Sequence, residues 1–328
     1  MQLKEIVIRN FRSIDEIKLH LGTGLNVFTG PNNSGKSNIL RAVALTLDEK
    51  SVKPFSWEYN YPLDRKRLTR STISLDFQLD ESRGPELTLK KYLIEYENSI
   101  IKKSKYETFA EKGFLRLFNQ YIGSKESIPK NQKYFLSSSG SIKGNDEFLN
   151  KSLKQFNKLI RFVYLKSGEN LSSLVERGFH EILRDVMEEK LRKQFEAAKN
   201  KRKKFHEELK GGILAELSSY IKEEISDIMP EIKDVELEPK IPEIKKIISD
   251  CEVRFRDNYL TAIENKGTGV RSTFLINLMS FIATSTSKSV VFAIEEPESF
   301  VHPEIQKKLA GVIKKISNKK NVTVLAPH

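Results

Sequence analysis

A chain of 328 residues, 38% hydrophobic and 30% charged with a formal net charge of +12, has the makeup of a globular protein, large enough for one big α/β unit or two domains. One cysteine, Cys251, excludes an intramolecular disulfide, and none of the five histidines stands at a metal-ligand spacing from it. The longest apolar runs, such as residues 290–294, are too short to cross a bilayer, and the first residues form no signal-peptide core, so a cytoplasmic protein with no membrane partner is expected.

Residues 2–9 alternate, with Leu3, Ile6 and Ile8 apolar, and residues 14–21 alternate again before the turn Gly22-Thr23-Gly24. The pattern predicts a β-hairpin-like pair feeding the central strand of the fold. Arg12 sits in the loop between the two runs, where its guanidinium either folds back onto phosphates or is an exposed turn residue. The next strand, residues 25–29, leads into Gly30-Pro31-Asn32-Asn33-Ser34-Gly35-Lys36-Ser37, which fits G-x-x-x-x-G-K-[ST] at every fixed position. Asn38 opens the helix that follows, with Ile39, Leu40, Val43 and Leu47 on one face. Strand, glycine loop and helix together predict a phosphate-binding loop whose backbone amides and helix N-terminus cradle a polyphosphate. Lys36 would reach the β- and γ-phosphates, and the Ser37 hydroxyl would ligate Mg²⁺.

Beyond the first helix, residues 54–70 are aromatic and basic without a period, then Ile73, Leu75, Phe77 and Leu79 alternate as a strand. A second strand is expected over 87–95, and the two predict an antiparallel sheet beside the nucleotide core. Gln78 lies on that sheet and is a weak candidate for reaching Mg²⁺ through a loop. Residues 97–158 interleave lysines and aromatics and yield no clear elements; 161–165 reads as a buried strand. A long helix is expected from Leu171, with Phe179, Ile182, Leu183, Val186, Met187, Leu191 and Phe195 on its apolar face, until Gly211-Gly212 breaks it. A second helix runs to about Met229, so that 171–229 is a helical arm inserted between β elements. The arm's five cations at 199–204 suit a DNA backbone, but such a run is more often a solvated helix face.

Residues 251–256 read as a strand, and 273–283 as a buried helix opened by Gly267-Thr268-Gly269-Val270-Arg271-Ser272. Free amides at that helix start, with Arg271 and Ser272, suit an anion such as a γ-phosphate, and a two-fold dimer would bring them over the partner's nucleotide. Residues 289–294 form a continuous apolar strand of parallel type, ending in Glu295-Glu296. Two adjacent carboxylates at the C-terminal edge of a sheet cannot do the same job, because strand side chains alternate. Glu295 is assigned to Mg²⁺, and Glu296 to orienting the attacking water. A helix at 303–316 and a strand at 322–325 close the chain at His328.

Ile8-Arg9-Asn10-Phe11-Arg12-Ser13, the loop at 30–37, Lys266-Gly267-Thr268-Gly269, and Glu295-Glu296-Pro297-Glu298 with His302-Pro303 resemble the ATPase of the overcoming-lysogenisation-defect (OLD) nucleases, a family grouped with the ABC-type ATPases of SMC and RecF proteins. The resemblance covers roughly residues 1–50 and 250–328. It implies that 267–272 is the ABC signature acting in trans, that Arg12 is the arginine of the N-terminal loop, and that His328 is the switch histidine sensing the γ-phosphate. It also implies a Toprim nuclease domain built on a Glu and an Asp-x-Asp pair; no Asp-x-Asp occurs in this sequence, so the expectation is an ATPase head that works with a nuclease domain or partner outside it.

The expected fold is thus an ABC-type α/β ATPase head with a mostly parallel core sheet, a second antiparallel sheet and an inserted helical arm. Its expected ligands are ATP and Mg²⁺, its partners a second copy of itself and DNA. The positive charge suits a polyanion or is a solubilising surface. A RecF- or SMC-like clamp without nuclease, a non-hydrolysing nucleotide switch and a small-molecule kinase are the competing readings.

Overall fold

Alternating residues at the start of the chain make strands, and those strands belong to an antiparallel sheet. In the computed structural model, which describes residues 1–62, 70–101, 107–123, 128–138, 146–166, 191–229, 231–249, 252–296 and 303–327, strand β1 (Gln2–Phe11) pairs with β2 (Ile14–His20). The phosphate-loop strand β3 (Gly24–Phe28) joins a different sheet. On its other side β1 pairs with β4 (Arg70–Gln78), and β5 (Phe114–Ile122) and β6 (Lys130–Phe135) complete the order β2-β1-β4-β5-β6.

The second sheet is parallel throughout, in the order β3-β11-β10-β7, with β7 at Ile160–Leu165, β10 at Ser289–Ile294 and β11 at Val322–Pro327. Every residue of β10 is buried, as a strand covered on both faces requires. Helix α1 (Lys36–Leu47) packs against both sheets, and one apolar core unites Ile6, Ile8, Leu40, Val43, Leu75, Val291 and Ala293. Strand β3 lies at an edge of this sheet, which corrects the central position expected from the sequence. Being parallel, the four strands end together: Phe28 lies beside Pro327, and Ile294 beside Leu165. That common C-terminal edge is where open α/β sheets bind ligands.

The strand expected at 87–95 is instead helix α3 (Gly84–Ile100), preceded by the one-turn helix α2 (Trp57–Asn60). Its buried residues Leu89, Leu93 and Tyr96 follow helical spacing, and Pro85 stands at the helix start, where its missing N–H costs nothing. Residues that were unreadable before β7 supply β5, β6 and helix α4 (Asp146–Leu159). Near the end of the chain, α8 (Thr268–Ser285) starts five residues earlier than expected and packs on α9 (Pro303–Ser317), which also covers β3 and β11.

Chain contacts divide the protein into two compact units, Met1–Leu171 with Lys266–His328, and Ser172–Asn265. The second comprises α5 (Arg192–Gly211), α6 (Ile213–Ser226), α7 (Ile244–Ser249) and the small hairpin of β8 (Arg254–Arg256) and β9 (Leu260–Ala262), so it reaches well past Met229. The expected helix between Leu171 and Met187 lies outside the described residues, as does residue 251 of the strand expected at 251–256, of which 254–256 forms β8. No helix among the described residues is long and apolar enough to cross a membrane.

Gly24 shows how tightly α9 is seated. Its φ is 87°, and a Cβ there would stand 2.6 Å from the Ser317 carbonyl oxygen at the end of the helix. Left-handed strain and overpacking each cost about 1–3 kcal/mol, so Gly24→Ala should lose roughly 3 kcal/mol in urea unfolding. An unchanged midpoint would mean that the helix end can retreat at no cost.

Candidate functional site

The turn from β3 into α1 is shaped by residues that accept left-handed backbone: Asn33 has φ 65° and Gly35 φ 94°. A side chain at position 35 would also meet the Ser13 hydroxyl at 3.0 Å, so glycine is required there on both counts. Asn38 and Ile39 donate their amides to the Gly35 carbonyl at 2.9 and 3.2 Å, whereas Lys36 and Ser37, at the start of α1, have no acceptor within the helix. The Lys36 ammonium donates to the carbonyls of Gly30 (2.6 Å) and Pro31 (3.0 Å) and so stands across the mouth of the loop. Asn32, Asn33, Ser34, Gly35, Lys36, Ser37 and Asn38 line a cleft of about 430 Å³, together with Arg41, Glu296 and Pro327. That volume lies within the range of small-ligand pockets.

Arg12 flanks the loop. Its backbone is left-handed (φ 51°), Nε donates to the Tyr59 carbonyl at 3.1 Å, and Nη1 donates to Asn38 Oδ1 at 3.2 Å. Asn38 in turn donates to the Ser13 hydroxyl at 2.9 Å, tying the β1–β2 loop to the phosphate loop. Burial, and then the neighbouring charge of Arg41, pull the Arg12 guanidinium below its ordinary pKa.

The two carboxylates part company as strand alternation requires. Glu295 is 4% exposed and continues the β7–β10 ladder, its amide donating to the Leu165 carbonyl at 2.8 Å. Its Oε1 accepts a 2.6 Å hydrogen bond from the Tyr164 hydroxyl and lies 3.9 Å from Arg41 Nε. Burial first, and then this bond to Glu295, push the Tyr164 phenol far up, so it remains a donor. Glu296 is exposed, adopts φ 44° and faces the cleft. Left-handed backbone in a non-glycine residue costs of order 1–3 kcal/mol and concentrates at functional sites.

One hydroxyl (Ser37) and a buried carboxylate (Glu295) at one sheet edge fit magnesium, which takes one or two protein oxygens and completes its shell with phosphate oxygens and water. No group of three His, Cys, Asp or Glu that could hold a metal ion occurs among the described residues.

Other expected site residues lie elsewhere. Gln78 pairs with Gln2, at the end of β1 opposite to Arg12. Eight to ten residues of strand, roughly 30 Å, separate it from the phosphate loop, which removes it as a magnesium ligand. Gly267 precedes α8, and Thr268, Gly269 and Ser272 fall in its first two turns. The α8 start has no side-chain cap, and the buried Nε of Arg271 has no hydrogen-bond partner among the described residues. His328 lies outside the described residues, as do Pro297, Glu298 and His302.

Two residues of the site escaped the sequence reading. Arg41 is on the same helix as Lys36, about one turn past the motif, where no fixed motif position points to it. Tyr164 was visible only as part of a buried strand; the parallel pairing of 161–165 with 289–294 was the missing signal.

The family profile for the AAA ATPase domain matches residues 1–326. The chain is 47% identical over 53 residues to the DNA replication and repair protein RecF of Magnetococcus marinus, covering 16% of this chain and 14% of that protein. Against RecF of Chlorobium phaeobacteroides it is 28% identical over 200 residues, 58% of this chain and 51% of that protein. The chain thus spans about half, at most, of these two relatives. Among solved structures, a crystal structure of the SmcHead bound to the C-winged helix domain of ScpA superposes with a TM-score of 0.55 and 13% identity, over 100% of this chain and 90% of that one. At that identity the likeness is one of fold: an α/β head with a parallel sheet, an antiparallel sheet and a P-loop.

Proposed function

The chain belongs to the AAA ATPase domain family and is an ATP-hydrolysing P-loop enzyme; from that premise we propose that it is a head that closes around ATP as a dimer and couples hydrolysis to a grip on DNA. The observation that carries this reading is the shared cleft: the phosphate loop and Glu296 line the same cavity at the C-terminal edge of the parallel sheet. Lys36 and the α1 amides hold the phosphates, and Arg12, anchored on Asn38, adds a second cation at their side. Ser37 and Glu295 would hold magnesium, and the ion would supply positive charge against the phosphates. Glu296 orients a water toward the γ-phosphate. The start of α8, which has no side-chain cap, is the anion site that the second copy presents over the γ-phosphate, with Ser272 assigned to it from the family resemblance. His328 is assigned, from the family resemblance, to sensing that phosphate.

Charge supports the DNA assignment and locates it. Residues 172–265 hold 18 Lys and Arg against 21 Asp and Glu, so the whole positive balance falls on the P-loop unit, with 38 against 23. Four of the arm's five cations at 199–204 are answered within its own unit: Lys199 pairs with Glu196, Lys203 with Glu207, Lys204 with Glu208, and Arg202 donates to the Ile241 and Pro242 carbonyls. DNA is therefore held by the P-loop unit. Motif resemblance supports an OLD-type head that serves a nuclease domain or partner, whereas similarity to RecF supports a DNA-repair ATPase without one; both share the ATP-gated grip proposed here.

Duplex DNA binding should require ATP and Mg²⁺ and weaken by roughly a hundredfold or more between about 50 and 200 mM salt, as release of phosphate counterions demands. Neutralising Lys201 and Lys204 together should leave it unchanged. Fluorescence anisotropy of a labelled duplex reads both. Affinity indifferent to salt, or lost with the two arm lysines, counts against the assignment.

A further inference from the structure

The parallel register sets Tyr164 opposite Ala293, and Glu295 lies two residues further along β10. Side chains two apart on a strand share a face, so the phenol and the carboxylate are diagonal neighbours on the α1 side of the sheet. Ala293, with only a methyl group and no exposure, leaves the space over which the Tyr164 ring reaches Glu295. The ring itself is fixed: it lies 6.2 Å from the Phe162 ring and is buried to 6% exposure, with the Lys166 ammonium 5.4 Å from its centre. Its hydroxyl is held between Arg41 and Glu295, and the acceptor it meets at 2.6 Å is the Oε1 of Glu295.

We propose that Tyr164 is the positioning residue of the metal carboxylate: its hydroxyl fixes the rotamer of Glu295, so that the carboxylate is already aimed at the magnesium position at the end of α1. Arg41, at 3.9 Å from the same oxygen, draws the carboxylate toward α1, but it is 41% exposed and solvent screens its pull. A carboxylate hydrogen-bonded at one oxygen loses less side-chain entropy when it meets a metal, and such supporting partners contribute about 10–100-fold to metal affinity. The inference rests on the reading of Glu295 as the magnesium carboxylate.

Tyr164→Phe removes one hydroxyl and keeps the ring packing. ATP binding followed by calorimetry across a Mg²⁺ titration should give a half-saturating Mg²⁺ concentration raised about tenfold in the variant. Affinity for ATP in EDTA, which does not draw on the metal carboxylate, should match wild type; it also verifies that the variant is folded. Glu295→Gln measured alongside should raise the Mg²⁺ requirement at least as far. If Glu295→Gln keeps the wild-type requirement, the metal reading of Glu295 fails and the inference falls with it. If Glu295→Gln shifts while Tyr164→Phe does not, only the role of Tyr164 is overturned, and its ring is core packing.

Discussion

Lys36→Ala should leave a folded protein that no longer binds ATP. Among the described residues the Lys36 ammonium donates to the exposed carbonyls of Gly30 and Pro31, at the rim of the phosphate loop, so its removal leaves neither carbonyl buried without a partner. The amides of α1 and the side chain of Arg12 remain, but neither supplies a mobile full charge between the terminal phosphates. A charge-assisted hydrogen bond is about twice as strong as a neutral one, and Lys36 would make two or more to the β- and γ-phosphates. The expected outcome is affinity weakened beyond about a hundredfold by calorimetry, or roughly 3 kcal/mol, with an unchanged melting temperature in the absence of nucleotide. Lys36→Arg retains charge but not reach, since a planar fork does not substitute for a compact ammonium in so tight a loop, and it should also bind poorly. Wild-type affinity in Lys36→Ala would detach the loop from its proposed ligand.

The elements that carry the chemistry were legible because their sequence patterns are local. A glycine loop between an apolar strand and an amphipathic helix, and an apolar strand ending in two glutamates, each spell out their own backbone, and both ends meet at one sheet edge. Elements were misread where period was ambiguous or pairing non-local. Residues 87–95 contain enough apolar residues to alternate, yet Leu89 and Leu93 are the buried ones, with Ile94 packed beside them and Tyr96 beyond, and Pro85 marks the helix start. The place of β3 at a sheet edge, and of β1 in the antiparallel sheet, depends on which distant strand each meets, and no local pattern encodes that. Gln78 was proposed from the strand it occupies, but an antiparallel register decides which end of a strand faces the loop, and it sends Gln78 away. Tyr164 was hidden for the same reason: its role arises from a diagonal neighbour 131 residues away.

Glu296→Gln should bind ATP normally and fail to hydrolyse it. The two adjacent glutamates differ in surroundings: Glu295 is buried and already hydrogen-bonded by Tyr164, whereas Glu296 is exposed to the cleft. A carboxylate that must polarise a water has to remain accessible to it, and a carboxylate that fixes a metal must not wander, so the roles divide as the burial does. Glutamine has the shape of glutamate and accepts the same left-handed backbone at φ 44°, with no added strain beyond that already present. It lacks the basic oxygen, and general-base contributions run to about 10²–10⁴-fold, so phosphate release should drop by at least about a hundredfold. Trapped nucleotide should hold the two copies together, with a dimer persisting in light scattering with ATP and Mg²⁺ where the wild type returns to monomer as it turns over. Glu295→Gln should behave differently, losing the response to Mg²⁺ along with activity. A Glu296→Gln protein that hydrolyses at the wild-type rate would pass the water-orienting role to another group at the cleft. Slow hydrolysis without a lasting dimer would instead place the start of α8 away from the partner's phosphates, and the closure by a second copy would have to be given up while the cleft itself kept its chemistry.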